Sequence, residues 1–294
     1  MEFMVLLEQP DLGQPGASRR LRFGEPSAPT VAILNGKGSW FEGGSDNPDL
    51  SLKWVPRGSA DYRTEGRAYR LSGATQLLLN RGQPYRMNMR GESETFVLFF
   101  PKTVADAAWR AHSDSGDAMP EIPTAAAPPP RALQQCLFSL QAESRTLKPD
   151  ADLLRELCVA VLGEIVSLAA LRRGQAFRIN ARRRTTREEL LRRLLRAETY
   201  LRDAGHRATL SGAADAAALS PFHLIRIFKN VFNETPLAYG ARTRLQAAHA
   251  DLVRTRRPIA EIAEAAGYES RTAFDRAFAR QFGTTPGAVR AAAV

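Results

Sequence analysis

Residues 210–290 carry one pattern twice. Arg226, Phe228, Phe232, Thr235 and Pro236 recur fifty positions later as Arg276, Phe278, Phe282, Thr285 and Pro286. Leu224 corresponds to Phe274, and just upstream the match continues at a shift of forty-nine, from Asp215 and Leu219 to Glu264 and Tyr268. One residue has therefore been added in the second turn. Each copy reads as a short helix, a tight turn and a second helix: 210–217, Ala218-Leu219-Ser220 and 221–232, then 259–266, Gly267-Tyr268-Glu269 and 270–282. Ser220 is placed to cap the first of the longer helices, with Pro221 at its first position. A helix–turn–helix of this size puts its second helix in the major groove of DNA.

Charge accompanies the repeat. The chain has 41 Lys+Arg against 31 Asp+Glu, a net of +10. Residues 1–172 sum to −1 and residues 173–294 to +11. The cationic half is thus the one with the duplicated unit, which points to a polyanion. Leu224, Phe228 and Val231, and equally Phe274, Phe278 and Phe282, fall on one helical stripe and are expected in the core. Beside that stripe lie Phe222, Ile225, Arg226 and Lys229 in the first unit, and Arg271, Thr272, Asp275 and Arg276 in the second. A plain helical bundle with solvated arginines explains one such helix. It does not explain two copies in register in the basic half. The segment between them, 236–256, makes about 30 Å of helix at 1.5 Å per residue. That is close to one turn of B-DNA, about 34 Å, so one chain can address successive major grooves without a palindrome.

The preceding half has a different texture. Short alternating runs at 50–56, 60–64, 76–80, 85–89 and 95–100 alternate with Gly- and Pro-marked turns, which suggests a β-sandwich or small barrel. Residues 102–112 read as one helix. Five prolines within 117–130 read as a linker, and leucines at helical spacing in 132–147 and 150–172 predict two amphipathic helices. Residues 173–187 are basic and poorly patterned, an expected inter-domain linker. The division is therefore a barrel over 1–116, a Pro-rich linker over 117–130, a helical pair over 131–172, a basic linker over 173–187 and a DNA-binding domain over 188–294. The fold class is α+β and multidomain. The opening residues lack the basic start and long apolar run of a signal peptide, and a cytoplasmic, membrane-free protein is expected.

At this point the stretch LSPFHLIRIFKNVFNETPLAYGARTRLQAAHADL, with AGYES, FDRAFARQFG and the following TP, closely resembles the DNA-binding domain of the AraC/XylS family of bacterial transcription regulators. The resemblance covers about 188–290 and implies seven helices with two helix–turn–helix units. By position, Phe222, Ile225, Arg226, Lys229, Arg271, Thr272, Asp275 and Arg276 match places where family members touch bases or phosphates. Three departures bear on recognition. Ala218 stands where the family usually has glycine, at a cost of about 1 kcal/mol if that residue is left-handed. Ile225 is apolar at a usual polar position and meets a thymine methyl or nothing. Asp275 repels phosphate but can accept from cytosine N4. The barrel resembles the family's cupin-like effector domain more weakly, and its following helices resemble the pair that often dimerises. Their leucine stripes pack either on their own barrel or across a dimer seam. A homodimer, double-stranded promoter DNA, a small-molecule effector and, for an activator, RNA polymerase are the implied partners; no cofactor is implied.

Two other classes compete. A metal cupin needs several imidazoles on one ion, whereas His112, His206, His223 and His249 all lie outside the barrel, and Glu92 and Glu94 read as solvated. Cys136 and Cys158 read as buried small hydrophobes. An enzyme is therefore not expected. A nucleoid-type binder without sequence preference is the other alternative. For an effector, Trp54, Tyr62, Tyr69 and Tyr85 offer stacking surfaces and Arg63 an anion contact, each against the simpler reading of core or solvated surface.

Overall fold

The structure is a computed structural model that describes residues 3–8, 29–72, 75–113, 118–124 and 126–292, with Arg254 described by its backbone alone. Gly73, expected in a turn, and Asp117 and Ala125 of the Pro-rich segment lie outside the described residues. So do parts of the opening ten residues. The chain divides into two compact units, Met1–Gly174 and Gln175–Val294.

The first unit is built on one sheet. Its strands are β1 (Met4–Glu8), β2 (Thr30–Ser45), β3 (Leu50–Arg57), β4 (Ser59–Thr64), β5 (Arg67–Ser72), β6 (Thr75–Leu79), β7 (Tyr85–Phe100) and β8 (Ala126–Ala127). The hydrogen-bonded order is β1-β2-β7-β3-β6-β8, with β4 on the other half of β7 and β5 on β4. The long strands β2 and β7 pair along almost their whole length, with a bulge between Gly38 and Trp40. Because β3 pairs with one half of β7 and β4 with the other, the sheet curls over itself as a barrel. Two expectations change here. Residues 85–89 and 95–100, read as separate strands around Arg90-Gly91, are one strand in which Gly91 takes φ 85°. The Pro-rich stretch is not a free linker, since Ala126 and Ala127 pair with Leu77 and Gln76.

Three helices follow: α1 (Lys102–Ser113), α2 (Arg131–Ser144) and α3 (Ala151–Phe177), the last of which runs three residues past the end of the first unit. Leu133, Leu137 and Leu140 of α2 and Leu154, Val161, Leu162 and Ile165 of α3 are buried with Leu52, Trp54, Phe96, Leu98 and Phe100 of the sheet. The leucine stripes thus pack on their own barrel. Helix α3 runs five residues beyond the expected end at Arg172, and the next helix begins at Arg184, so the expected basic linker over 173–187 is largely helical.

The second unit contains α4 (Arg184–Asp203), α5 (Leu210–Ala217), α6 (Pro221–Phe232), α7 (Pro236–Arg254), α8 (Ile259–Ala265), α9 (Arg271–Phe282) and α10 (Pro286–Ala292). The repeat extends to the caps. Ser220 and Ser270 accept from the backbone N–H of His223 and Ala273, and Thr235 and Thr285 from those of Ala238 and Ala288. Asn233 and Gly283, at equivalent positions, both end their helices left-handed, at φ 61° and 69°. Each such side-chain cap contributes about 1 kcal/mol.

Ala218 is left-handed as well, at φ 52° and ψ 46°, where its counterpart Gly267 takes φ 82°. A β-carbon in that region crowds the following carbonyl. Ala218→Gly is therefore expected to stabilise the helical unit by about 1 kcal/mol, seen as a higher urea midpoint at unchanged slope. At Gly267 the reverse exchange is closed, because an added Cβ would clash with the Cβ of His206.

Candidate nucleic-acid interface

Two separate cores hold the two reading helices. Leu224, Ile227, Phe228 and Val231 of α6 are buried with Leu191, Leu194, Ala213, Ala217 and Tyr239. Phe274, Ala277 and Phe278 of α9 are buried with Leu245, Leu252, Ile262 and Ala266. Phe282, at the end of the second stripe, is half-buried. Burying one stripe leaves the other face of each helix outward. On α6, Phe222 is 87% exposed, Arg226 and Lys229 are exposed, and Ile225 is half-buried. On α9, Arg271, Thr272 and Arg276 are exposed and Asp275 is half-buried. All eight positions lie beside the buried stripe.

The electrostatics of the two helices differ. Among the described residues, no carboxylate lies within ion-pair distance of Arg226, Lys229 or Arg276. On α9, Arg271 Nε and Asp275 Oδ2 are 3.6 Å apart across one turn, while Asp275 Oδ1 is buried without a hydrogen-bond partner. The first helix is a bare cation and the second carries its own acid.

Helix α7 joins the two helix–turn–helix units within the second compact unit. Its 19 residues give about 28 Å. Tyr239 donates to Glu198 of α4 at 2.6 Å, and burial, followed by that carboxylate, raises the phenol's pKa. Arg242 forks onto Glu234 Oε1 at 2.8 and 3.0 Å. Further along, Arg244 donates to the carbonyls of Gly205 and Ala266, tying the end of α4 to the end of α8. The first half of the connector is thus held by charge-assisted bonds, the stronger kind, and near its far end Arg290 Nε donates to the Leu252 carbonyl at 2.9 Å.

The five effector residues are not one site. Tyr62, Tyr69 and Tyr85 gather inside the barrel with Val55, Leu77, Leu79, Met87 and Met89, the Tyr62 and Tyr85 rings 6.1 Å apart. Trp54 faces the other side of the sheet, edge-on to Phe96 and Phe138, and Arg63 is exposed. Glu94 is also corrected. It is 7% exposed rather than solvated and pairs with Arg57 and Arg145 at 3.5 and 3.3 Å. Glu92 is exposed. Cys158 is buried, and burial pushes its thiol up to about 12.

One interior residue was not singled out from the sequence. Lys53 is fully buried, its Nζ 4.3 Å from the centre of the Tyr85 ring and 3.9 Å from that of Phe99, with no hydrogen-bond partner. Burial holds its pKa well below the usual lysine range. It lies in the partly alternating run LSLKWVP, and both faces of β3 are covered. The unfolded chain keeps that proton up to the ordinary lysine pKa, near 10.4, whereas the folded chain releases it earlier. Between the two values the unfolded state binds more protons, so stability rises with pH by up to about 1.4 kcal/mol per unit. Lys53→Met is expected to remove that slope and stabilise the barrel at neutral pH. Urea unfolding at several pH values, followed by tryptophan fluorescence, checks this, since Trp40, Trp54 and Trp109 all lie in the first unit.

A curled sheet backed by helices, joined in sequence to two helix–turn–helix units on one connecting helix, defines a two-part DNA-binding regulator. Residues 16–172 match the family model described as AraC-binding-like domain, and residues 213–292 the one described as helix-turn-helix domain. The chain belongs to the AraC family of transcription regulators. It is 33% identical over 164 residues, 54% of each chain, to the RCS-specific HTH-type transcriptional activator RclR of Escherichia coli K12. It is 40% identical over 73 residues to the regulatory protein SoxS of the same strain, covering 25% of this chain and 68% of SoxS. A solved AraC-type regulator from Chromobacterium violaceum aligns over 35% of this chain and 92% of its own, at 25% identity and a TM-score of 0.34. The match spans about half the length of RclR. No helix among the described residues is long and apolar enough to cross a membrane.

Proposed function

We propose that the chain is a cytoplasmic, sequence-specific regulator that binds double-stranded promoter DNA with α6 and α9 in successive major grooves. The observation that carries this is the pair of outward faces, Phe222/Ile225/Arg226/Lys229 and Arg271/Thr272/Asp275/Arg276, in which Arg226 and Arg276 stand at equivalent, exposed positions. Arg226 and Arg276 match guanine O6 and N7 or phosphate, Ile225 a thymine methyl, and Asp275 cytosine N4. The barrel is the regulatory half, sensing a small molecule and pairing two copies through the outward residues Leu153, Val159 and Leu171 of α3, all exposed. RclR is named an activator; activation here would add a contact to RNA polymerase. No catalytic role is assigned.

Mapping the chain's binding sites on its genome, then measuring affinity for those sites against bulk DNA, tests the reading. Specific sites are expected to bind on the order of 10³-fold or more tightly. Equal affinities would make the protein a general DNA coater. Stoichiometric iron, manganese or zinc in the purified chain would revive the cupin-enzyme alternative.

A further inference from the structure

Lys53 is an expensive residue to keep where it is. An unpaired amine inside an apolar barrel loses its hydration and gains no hydrogen bond in return. It has company: the Oγ of Ser51, two positions away on the same face of β3, and the hydroxyl of Tyr62 on β4 are also buried without partners. The remaining walls are apolar. Leu77 and Val97 sit opposite Lys53 on the neighbouring strands, and Phe99 and Tyr85 cover its Nζ. Buried polar atoms that match nothing in the protein are where a missing partner belongs.

The chemistry of that partner can be narrowed. The phenol that faces Lys53 is that of Tyr85, its ring 6.1 Å from that of Tyr62, and burial raises the pKa values of both. They remain neutral and supply no counter-charge, and among the described residues no carboxylate opposes the burial that lowers Lys53. Burial without a counter-charge favours the uncharged, nucleophilic form of the amine. An anionic ligand would have to enter an apolar interior and first protonate the lysine, at the desolvation cost of a buried ion pair. A neutral electrophile meets no such cost.

We propose that Lys53 is a covalent docking point for a small, apolar aldehyde, held inside the barrel as a Schiff base. The lone pair of Nζ attacks the carbonyl carbon, and one N–H proton moves to the carbonyl oxygen to give a carbinolamine. The C–O bond then breaks as the nitrogen lone pair forms C=N. The departing hydroxyl takes a proton and leaves as water, and the second N–H proton is returned. The two protons that leave the nitrogen are the two that depart with the oxygen as water, so the step balances within the amine and the aldehyde. Nothing is oxidised or reduced, and one water is released per aldehyde. Tyr85 is only half-buried and lies over the amine, so it forms the gate on the solvent side. The proposal rests on the barrel being the sensing half, but its readout is chemical, so the two fail separately.

The chain contains five lysines, of which Lys37, Lys102, Lys148 and Lys229 are exposed. At pH 7 an ordinary solvated lysine is neutral in roughly one molecule in 10³, which leaves Lys53 the favoured nucleophile. Full-length protein is incubated at pH 7 with butanal and cyanoborohydride, which reduces an imine to a stable secondary amine, and peptides are mapped by mass. The expected result is a butyl adduct at Lys53 at least tenfold above any exposed lysine, and faster labelling in Tyr85→Ala. Labelling confined to the exposed lysines, or reaching Lys53 only after unfolding in urea, would overturn the proposal. Mapping on the unmodified chain keeps the test independent of how well any variant folds. An adduct at Lys53 that leaves DNA affinity unchanged would uphold the capture chemistry and remove the sensing role instead.

Discussion

Arg226→Ala and Arg276→Ala, combined in one chain, are expected to abolish recognition of a cognate site at ordinary protein concentrations. Each side chain is exposed beside a buried stripe, and among the described residues neither has a carboxylate within ion-pair distance to hold it back. A base-reading arginine contributes about 1–3 kcal/mol, or roughly 5- to 150-fold. The two lie on different helices with different cores, so their effects should add, giving about 2–6 kcal/mol in the double variant. Titrations at several salt concentrations separate the roles. Loss of base contacts weakens the cognate site far more than bulk DNA, whereas loss of phosphate contacts weakens both and lowers the salt slope by about one per residue. Unchanged affinity and slope would show that these helices do not face DNA.

Phe278→Ala carries the largest expected effect on folding. Its ring is fully buried, stacked parallel on His249 at 5.8 Å and tilted against Phe274 and Phe282 at 5.5 and 4.5 Å. Truncating a ring in such a site costs about 3–5 kcal/mol. For a unit of this size that lowers the melting temperature on the order of 10–20 °C. The effect should be confined to the second unit. All three tryptophans lie in the first unit, so fluorescence should report an unchanged barrel transition while helical circular dichroism moves down. A coincident shift in both signals would show that the two units unfold as one.

The repeat was the most legible part of the chain, for a physical reason. A helix–turn–helix is made of local contacts, and its caps, turn residues and 3.6-residue stripe are all written within about twenty positions. Ser220, Pro221, Thr235 and Gly267 stand in the structure where their chemistry placed them. The barrel was less legible because strand pairing is non-local. Nothing within 85–100 says that Gly91 bends a strand instead of ending one; that is settled by thirteen residues of β2 lying alongside. Glu94, read as solvated, and Lys53, not singled out, share a related reason. Alternation shows that a strand has two faces, but only the assembled sheet shows that both are covered. In Glu94 the cover brought Arg57 and Arg145; in Lys53 it brought aromatic rings and no partner.

The spacing of the two reading helices is the central claim, because it makes one chain a reader of an asymmetric site. Selection of sites from a random duplex pool by the full chain, followed by hydroxyl-radical footprinting, tests it directly. Each bound chain should select two short blocks of unlike sequence, centred about one helical turn apart and protected on one face of the duplex. A single block, a palindrome within one chain's footprint, or protection without sequence preference would contradict it.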